Sequence, residues 1–272
     1  MKLHCIPILS ALFTSLVCFS NPATKISDNS PSSGIVIRWN DCEQTIDGFG
    51  IAQAGWAKEL FAFKNRKQVM DKMFGNDGLR LNILRGEIFP HYWENKEDKD
   101  FNLNDDINIE LCDSDFNNKS DDLLRRGQLW LTLEAKNKYH INKLVFSTWS
   151  APAWMKSNGK VSNGKLKPEC YQDFANYLAA FYKAYKSKGI TPYAISPSNE
   201  PGYAAPWNSS LWTADEMGKF ITSNLGPTFQ KENIPAKIIF GENPLWSVVM
   251  PQLKMVSSKD FTDTILQDYP ET

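Results

Sequence analysis

The sequence predicts an α/β fold of the (β/α)8 TIM-barrel type, here incomplete, with about the first five of the eight βα units that close such a barrel. Three observations predict it. Short apolar strands alternate with helical segments, as in parallel βαβ units. No glycine-rich phosphate-binding motif follows the first strand, as an open nucleotide-binding sheet would show. The predicted strands end in polar or aromatic side chains, which favours a barrel with its chemistry at one face: Arg85, Trp149, Glu200 and Glu242.

The N-terminal segment, residues 1–20, is predicted to be a signal peptide. A short basic start precedes an apolar run over residues 6–19, too short for a membrane-spanning helix. We therefore expect an exported protein, secreted or periplasmic, with no transmembrane segment; a lipid anchor at Cys18 stays open. Residues 21–34 are rich in Pro and Ser and are predicted to be a linker, so the partial barrel domain spans 35–272.

The first half of the domain is predicted from short apolar runs and glycine stops. Glycines at the end of the second run permit a bend, and Gly75 is a natural end for a helix. The polar, aperiodic stretch 86–119 is predicted to be a long loop. Strands are expected over 34–39, 44–50 and 79–85, and helices over 56–60, 65–74 and 121–139.

The second half gives the clearest helix, after Pro168. Its aromatic and aliphatic residues recur at steps of three and four until Gly189: Tyr171, Phe174, Leu178, Phe181 and Tyr185. Thr213 and Glu216 form a capping box for a helix to about Asn224. Strands are expected over 143–149, 193–198 and 237–240, and a last helix over 248–256.

Composition excludes several classes of partner. A net charge of −1 gives no reason to expect nucleic acid or an anionic membrane. Nine Trp residues suit either an aromatic core or a ligand with apolar faces, such as a sugar. Cys42, Cys112 and Cys170 allow at most one disulfide, and neither a cofactor nor a metal site is predicted. The acidic residues between 105 and 115 lack calcium-loop spacing.

The segment Tyr193–Pro201 carries the main functional signal. It is a short apolar strand that ends on Asn199 and Glu200, followed by Pro201, which cannot donate to a sheet. A carboxyl group at the carboxyl end of a barrel strand is placed for catalysis, although a simple turn would use the same residues. With aromatic residues nearby, Glu200 suits a general acid/base that acts on a sugar.

Four segments of the chain resemble glycoside hydrolase family 30, a family of retaining β-glycosidases with a (β/α)8 barrel. They are TIDGFG (45–50), NILR (82–85), STWSAPAWMK (147–156) and SNEP (198–201), and the last two are the more specific. The resemblance runs from about Gln44 to the C-terminus. It implies an additional β-sandwich beside the barrel, to which the strand at 34–39 would contribute.

The resemblance also implies roles for individual residues. Glu200 would be the catalytic acid/base, and Asn199 its neighbour on the substrate 2-hydroxyl. Arg85 would lie near the nucleophile, while Trp149 and Trp154 would line the sugar site.

Further candidates for contact with a polysaccharide or glycoside substrate are Trp56, Tyr203, Trp207 and Glu242, for which core or loop packing is an equal explanation. A monomer is expected.

One departure from the family pattern affects the expected activity. The family nucleophile is a Glu at the end of the seventh strand, and this chain is expected to lack it; Glu271 lies in a polar run and is not accepted for the role. The 272-residue chain alone is thus expected to be inactive and poorly stable. A xylan-like substrate is favoured, and β-1,6-glucan, galactan and glucosylceramide stay open. A non-hydrolytic carbohydrate-binding remnant is the alternative from another class.

Overall fold

The structure is a computed structural model, and contacts divide the chain into two compact units, residues 1–47 and 48–272. In the first unit Arg38 and Asp41 form an exposed pair at 3.9 Å, and Cys42 is disulfide-bonded. The predicted signal peptide, linker and strand at 34–39 lie essentially outside the described residues. The described residues are 38, 40–42, 44–53, 56–93, 95–97, 127–245 and 257–270.

The second unit is built on one parallel sheet of five strands arranged in chain order. Neighbouring strands are consecutive and parallel, so each connection crosses back over the sheet, as expected of successive βα units. The prediction of alternating strands and helices is confirmed. The strands are β1 (Gly50–Ala52), β2 (Ile83–Ile88), β3 (Lys143–Thr148), β4 (Ala194–Ser196) and β5 (Lys237–Ile238).

Helices lie between these strands and after the last one. None within the described ranges is both long and apolar enough to cross a membrane. They are α1 (Ala57–Ala62), α2 (Arg66–Phe74), α3 (Gln128–Tyr139), α4 (Tyr171–Ser187), α5 (Ala214–Phe220), a π-helical turn (Ile221–Leu225), α6 (Gly226–Lys231) and α7 (Ser258–Asp268).

Helix α4 holds the centre of the core, as its periodicity predicts. Phe181 and Tyr185 are fully buried and meet the ring of Phe146 from β3 at centroid distances of 5.0 and 4.9 Å. The helix ends because Gly189 takes a left-handed φ of 80°, and the Ile190 amide then donates to the Tyr185 carbonyl. The free, buried thiol of Cys170 immediately precedes the helix.

The strand predicted over 44–50 is wrong except at its last residue. Residues 44–49 are not strand; the Phe49 carbonyl accepts from the amides of Asn82 and Ile83, and its amide donates to Oδ1 of Asn82 at 2.9 Å. The strand predicted over 79–85 begins later, at Ile83, because Arg80 has a left-handed φ of 52°. Leu79 instead bonds to the end of α2, through the Lys72 carbonyl.

Two helix predictions also need correction. The helix predicted to end near Asn224 continues through the π-helical turn to Lys231, and Pro227 lies in the first turn of α6, where its missing N–H is tolerated. The capping box at Thr213 is confirmed. The predicted helix at 248–256 lies outside the described residues, whereas α7 was missed although Ser257 caps it.

Beyond the end of β1, a single side chain supplies hydrogen-bond partners for the backbone of β2. The amide of Gln128 accepts from the Glu87 N–H at 2.7 Å and donates to the Glu87 carbonyl at 2.8 Å. The same Gln128 nitrogen lies 2.8 Å from the Tyr185 hydroxyl, so β2, α3 and α4 share one buried network. This network fixes β2, the strand that carries Arg85.

We expect Gly86→Ala to lower the free energy of unfolding by about 1–3 kcal/mol, because over-packing a filled core forces neighbours to shift. A Cβ on Gly86 would lie 2.7 Å from Cε1 of Phe146 and 2.9 Å from Oε1 of Gln128. Urea denaturation measures the loss. Adding Phe146→Leu should recover part of it, and an unchanged midpoint for Gly86→Ala would contradict this account of the packing.

Candidate active site

Arg85 is the centre of a polar cluster at the carboxyl end of the sheet. Its Nη2 donates to Oδ1 of Asn199 at 2.8 Å and to Oε1 of Glu242 at 3.2 Å. Its guanidinium also lies 4.6 Å from the ring centroid of Trp149, within cation–π range. The prediction that Arg85 ends its strand is wrong: it is the third residue of β2, and it meets the others from within the sheet.

Glu242 is held at both carboxylate oxygens. Arg85 binds Oε1, and the hydroxyl of Ser147 donates to Oε2 at 2.8 Å. The side chains of Arg85 and Glu242 are only 23% and 21% exposed, so this ion pair is better shielded from solvent than the exposed pairs on the helices. Glu242 therefore anchors Arg85.

Hydrogen bonds to the segments on either side hold the backbone at Glu200 in place. Regular pairing of β4 stops at Ser196, because Pro197 has no N–H, so the predicted strand is interrupted before it reaches Pro201. Pairing resumes when the Asn199 amide donates to the Thr148 carbonyl at 2.7 Å, and the Glu200 amide to the Glu242 carbonyl at 3.1 Å.

Glu200 itself has a φ of 48°, in the left-handed region that side-chain-bearing residues rarely adopt. Such strain, of order 1–3 kcal/mol, tends to occur at functional sites and persists only where neighbours impose it. Here the two flanking backbone bonds impose it, and the Tyr203 amide adds a third by donating to the Glu200 carbonyl at 2.9 Å.

The environment of Glu200 favours its protonated form. Burial raises the pKa of its carboxyl group, and the positive charge of Arg85 opposes part of that rise. A carboxyl group with a raised pKa holds its proton at a pH where an exposed one has lost it, as a general acid requires.

Aromatic residues follow Glu200 in the β4 loop, residues 201–212. Tyr203 and Trp207 lie edge to face with ring centroids 6.2 Å apart, and Trp207 is 54% exposed. An exposed indole near a carboxyl group offers an apolar face to a ligand. Tyr203 is joined to Glu200 through the backbone, so this pair lies next to the candidate acid.

Two predicted site residues are placed by packing. Trp56 packs against the core, and its indole donates to the Ala52 carbonyl at 2.6 Å. Trp154 also packs against the core, and its indole donates to the Trp93 carbonyl at 3.2 Å. Their contacts thus link them to the core, and the structure gives neither a contact with Arg85.

Sequence reasoning missed two polar residues on the inner face of the sheet. Ser147 binds Glu242, and Glu87 lies beside Ser147 in the β2–β3 register. Side chains alternate along a strand, so Ser147 shares a face with Trp149 and Glu87 shares one with Arg85. That alternation would have been sufficient to find both. Among the described residues, no group of three or more acidic, His or Cys side chains could hold a metal ion.

Comparison with protein families matches residues 46–243 to a model described as the glycosyl hydrolase family 30 TIM-barrel domain. The matched range contains Arg85, Trp149, Asn199, Glu200 and Glu242.

Among curated proteins, the chain is 28% identical over 237 residues to an endo-1,6-beta-D-glucanase of Neurospora crassa, covering 80% of this chain and 45% of that enzyme. It is 30% identical over 123 residues to the lysosomal acid glucosylceramidase of Mus musculus, covering 39% of this chain and 24% of that enzyme. The chain thus spans less than half the length of these relatives.

Two solved structures have a similar fold. The endo-beta1,6-glucanase BT3312 matches with a TM-score of 0.65 at 23% identity, over 83% of this chain and 49% of that one. The catalytic domain of xylanase C from Talaromyces cellulolyticus matches with a TM-score of 0.59 at 26% identity, over 72% and 46%.

We expect Arg85→Met to lower the free energy of unfolding by about 1–3 kcal/mol, because it leaves the Glu242 carboxylate shielded and without its cation. Adding Glu242→Gln should restore much of the loss, since the unpaired charge is then gone. The control is Lys67→Met, which removes the exposed partner of Asp71 and should cost much less, because solvent screens that pair. Equal losses for the two single variants in urea denaturation at pH 7 would contradict the anchoring role.

We expect Glu200→Gln to stabilise the fold more at pH 7 than at pH 4. The raised pKa means that the folded carboxyl group ionises at a higher pH than the unfolded one, so the wild type loses stability as pH rises through that interval. Gln has no such penalty. Chemical denaturation of both proteins at each pH measures the difference, with Glu134→Gln on α3 as control. A difference that does not change with pH would disprove the buried-acid assignment.

Proposed function

The chain belongs to glycosyl hydrolase family 30, and on that premise we propose that it takes part in hydrolysing β-glycosidic bonds of a polysaccharide. Glu200 is the acid/base of a retaining double displacement in this proposal. The observation that carries it is the state of Glu200: a carboxyl group whose pKa burial raises, in a clamped left-handed backbone, beside Arg85.

In the first step Glu200 gives its proton to the glycosidic oxygen as the bond from that oxygen to the anomeric carbon breaks and a second carboxylate bonds to that carbon. In the second step the Glu200 carboxylate takes a proton from a water molecule whose oxygen bonds to the anomeric carbon, which releases the second carboxylate and returns the site to its starting state. The pKa direction supports the first step, because the carboxyl group must carry a proton when substrate binds.

Asn199 is proposed to bind the sugar. Its Oδ1 already accepts from Arg85, which fixes the amide and leaves the NH2 group as the donor. An NH2 group at this position, next to Glu200, suits a hydrogen bond to the substrate 2-hydroxyl. Such bonds strengthen in the oxocarbenium-like transition state.

The second carboxylate of the mechanism is assigned to none of the described residues. A retaining enzyme needs it about 5–5.5 Å from the acid/base. Glu242 is not assigned the role, because its carboxylate is paired with Arg85 and hydrogen-bonded to Ser147, which suits a supporting group. We propose that the nucleophile is a Glu outside residues 1–272, and that the 272-residue chain alone has no turnover.

Xylan and β-1,6-glucan are the two substrates that we propose first. The sequence favours a xylan-like substrate, and the likeness to a xylanase catalytic domain supports it. The similarity to an endo-1,6-beta-D-glucanase over 80% of this chain supports β-1,6-glucan to the same degree. The likeness to a glucosylceramidase keeps glucosylceramide in the panel.

A carbohydrate-binding protein without hydrolysis is the second candidate. The exposed Trp207 beside Tyr203 favours it, since these residues would offer a stacking surface whether or not a nucleophile is present. Binding of an oligosaccharide without product formation, in a chain lengthened to the size of the relatives, would select this candidate. We further propose that the protein is exported, on the basis of the apolar segment within residues 1–20, and that it acts as a monomer.

We expect Glu200→Gln to reduce kcat on xylan or β-1,6-glucan by about 10²–10⁴-fold in the lengthened chain, because proton donation to a poor leaving group is lost. With an aryl glycoside, whose leaving group needs no proton, the variant should show a smaller loss of rate in the glycosylation step. Product formation is followed by reducing-end assay and thin-layer chromatography. The control Glu134→Gln should keep full activity, and a Glu200→Gln protein with wild-type kcat on polysaccharide would refute the role of Glu200.

A further inference from the structure

Lys156 is completely buried, which is unusual for a lysine without a carboxylate partner. Its Nζ donates to the Ser209 carbonyl at 2.6 Å and to Oγ of Ser150 at 3.2 Å, and no carboxylate among the described residues pairs with it. Burial lowers the pKa of this ammonium to about 8. An apolar side chain would fill the site without that desolvation cost. The presence of a buried ammonium with its hydrogen-bond donors therefore needs an explanation.

Lys156 lies at the base of a hairpin-like segment, residues 155–167, which we call the β3 hairpin. Lys156 and Leu166 form an antiparallel bridge, and the Lys167 amide donates to the Met155 carbonyl at 3.0 Å. The Ser157 amide adds a bond to the Lys165 carbonyl at 2.8 Å. The base of the hairpin is therefore a fixed support for the Lys156 side chain.

Backbone hydrogen bonds join the β3 hairpin to the β4 loop, residues 201–212. The Ser209 amide donates to the Val161 carbonyl at 3.0 Å, and the Leu211 amide to the Gly164 carbonyl at 2.9 Å. The Ser209 hydroxyl accepts from the Asn163 amide at 2.9 Å, and its proton is shared between the carbonyls of Ala205 at 2.9 Å and Trp207 at 3.1 Å. Ser209 thus joins the hairpin to the part of the β4 loop that carries Trp207.

The two partners of the ammonium lie beside two predicted site residues. Ser150 directly follows Trp149, whose ring contacts Arg85, and Ser209 is two residues after Trp207. We propose that Lys156 is a positioning residue: its ammonium joins the segment that carries Trp149 to the loop that carries Trp207, and so sets the distance between two aromatic sides of the candidate cleft.

The chemistry of the ammonium explains why lysine serves here. It offers three donors from one atom, so it can bind a hydroxyl and a carbonyl of separate segments at once. Hydrogen bonds from a charged donor are stronger than neutral ones, and in a buried site they are not exchanged for water. Methionine has a similar length and shape but would leave the buried Ser209 carbonyl without this donor.

The first test needs no ligand. Hydrogen exchange should rise in Lys156→Met at peptides covering Ser209 and Leu211 by about 10-fold or more, with peptides of α4 unchanged, since only the loop is released. The matched control is Lys160→Met, the same change at an exposed residue of the same hairpin, and it should leave exchange unaltered. A uniform rise across the whole chain, or no rise at the loop, would overturn the proposal.

The second test rests on the proposed function, because it measures glycan binding. Xylohexaose and β-1,6-linked glucohexaose are titrated by tryptophan fluorescence and calorimetry into wild type, Lys156→Met, Trp207→Ala and the double variant. If Lys156 acts by placing Trp207, the effects are non-additive: Trp207→Ala should weaken binding about 10-fold in the wild type and under about 3-fold in Lys156→Met. Fold-changes that simply multiply would overturn the coupling.

The two arms separate the two failures. Absence of binding in the wild type counts against the proposed function, while the exchange measurement still decides the role of Lys156. If Lys156→Met does not fold, Ser150→Ala takes its place; it removes the 3.2 Å bond from Lys156 and the local 2.9 Å bond from the Ser150 hydroxyl to the Ala151 carbonyl. It should raise exchange at Ser209 more than the control Ser187→Ala at the end of α4 does, and equal exchange in those two variants would reject the proposal.

Discussion

A guanidinium inside a sheet must be neutralised, and four successive strands contribute to neutralising Arg85. The charge comes from β2, the balancing carboxylate from Glu242 in the segment after β5, and the amide oxygen from Asn199 in the segment after β4. β3 contributes Ser147, which holds the carboxylate from its other side. Because the strands are parallel and in chain order, all these groups meet at one edge. The position of Glu200 depends on this arrangement, since its amide is bonded to the backbone of Glu242.

Much of this edge could be predicted from the sequence, because a residue that follows an apolar parallel strand lies at the carboxyl end of the sheet. Trp149, Asn199 and Glu242 were chosen in that way, and the structure brings each of them into contact with Arg85 or its partners. The boundaries of the strands were harder to predict. Nothing in the composition of Leu79–Leu81 shows that Arg80 turns left-handed, which moves the start of β2.

Other features depend on contacts between segments far apart in the chain. Ser147 was within reach, since alternation along β3 puts it on the face of Trp149. The role of Lys156 could not be predicted, because a lysine is expected on the surface. Only the fold shows that the β4 loop covers it, and its main partner is the backbone carbonyl of Ser209, 53 residues away. The same limit applies to Trp56 and Trp154, whose indoles proved to bind backbone carbonyls beside the core.

The division between strands and loops suits a family whose members differ in substrate. The charged cluster is built on the sheet, whereas Tyr203 and Trp207 lie on a loop that the β3 hairpin holds in place. Loop sequence can therefore vary while Arg85, Asn199 and Glu242 keep their geometry. This arrangement is consistent with matches to proteins named as a 1,6-glucanase, a glucosylceramidase and a xylanase.

The left-handed backbone of Glu200 has a consequence for how such a site is lost over time. Only Gly, Asn and Asp adopt this conformation readily, and the glutamate codons reach those of Gly and Asp by one base change. Both replacements relieve the backbone, and both remove the carboxyl group on which the proposed mechanism depends. If the proposal holds, relaxed selection for the reaction biases genetic drift toward folded descendants without the acid/base rather than toward unfolded ones.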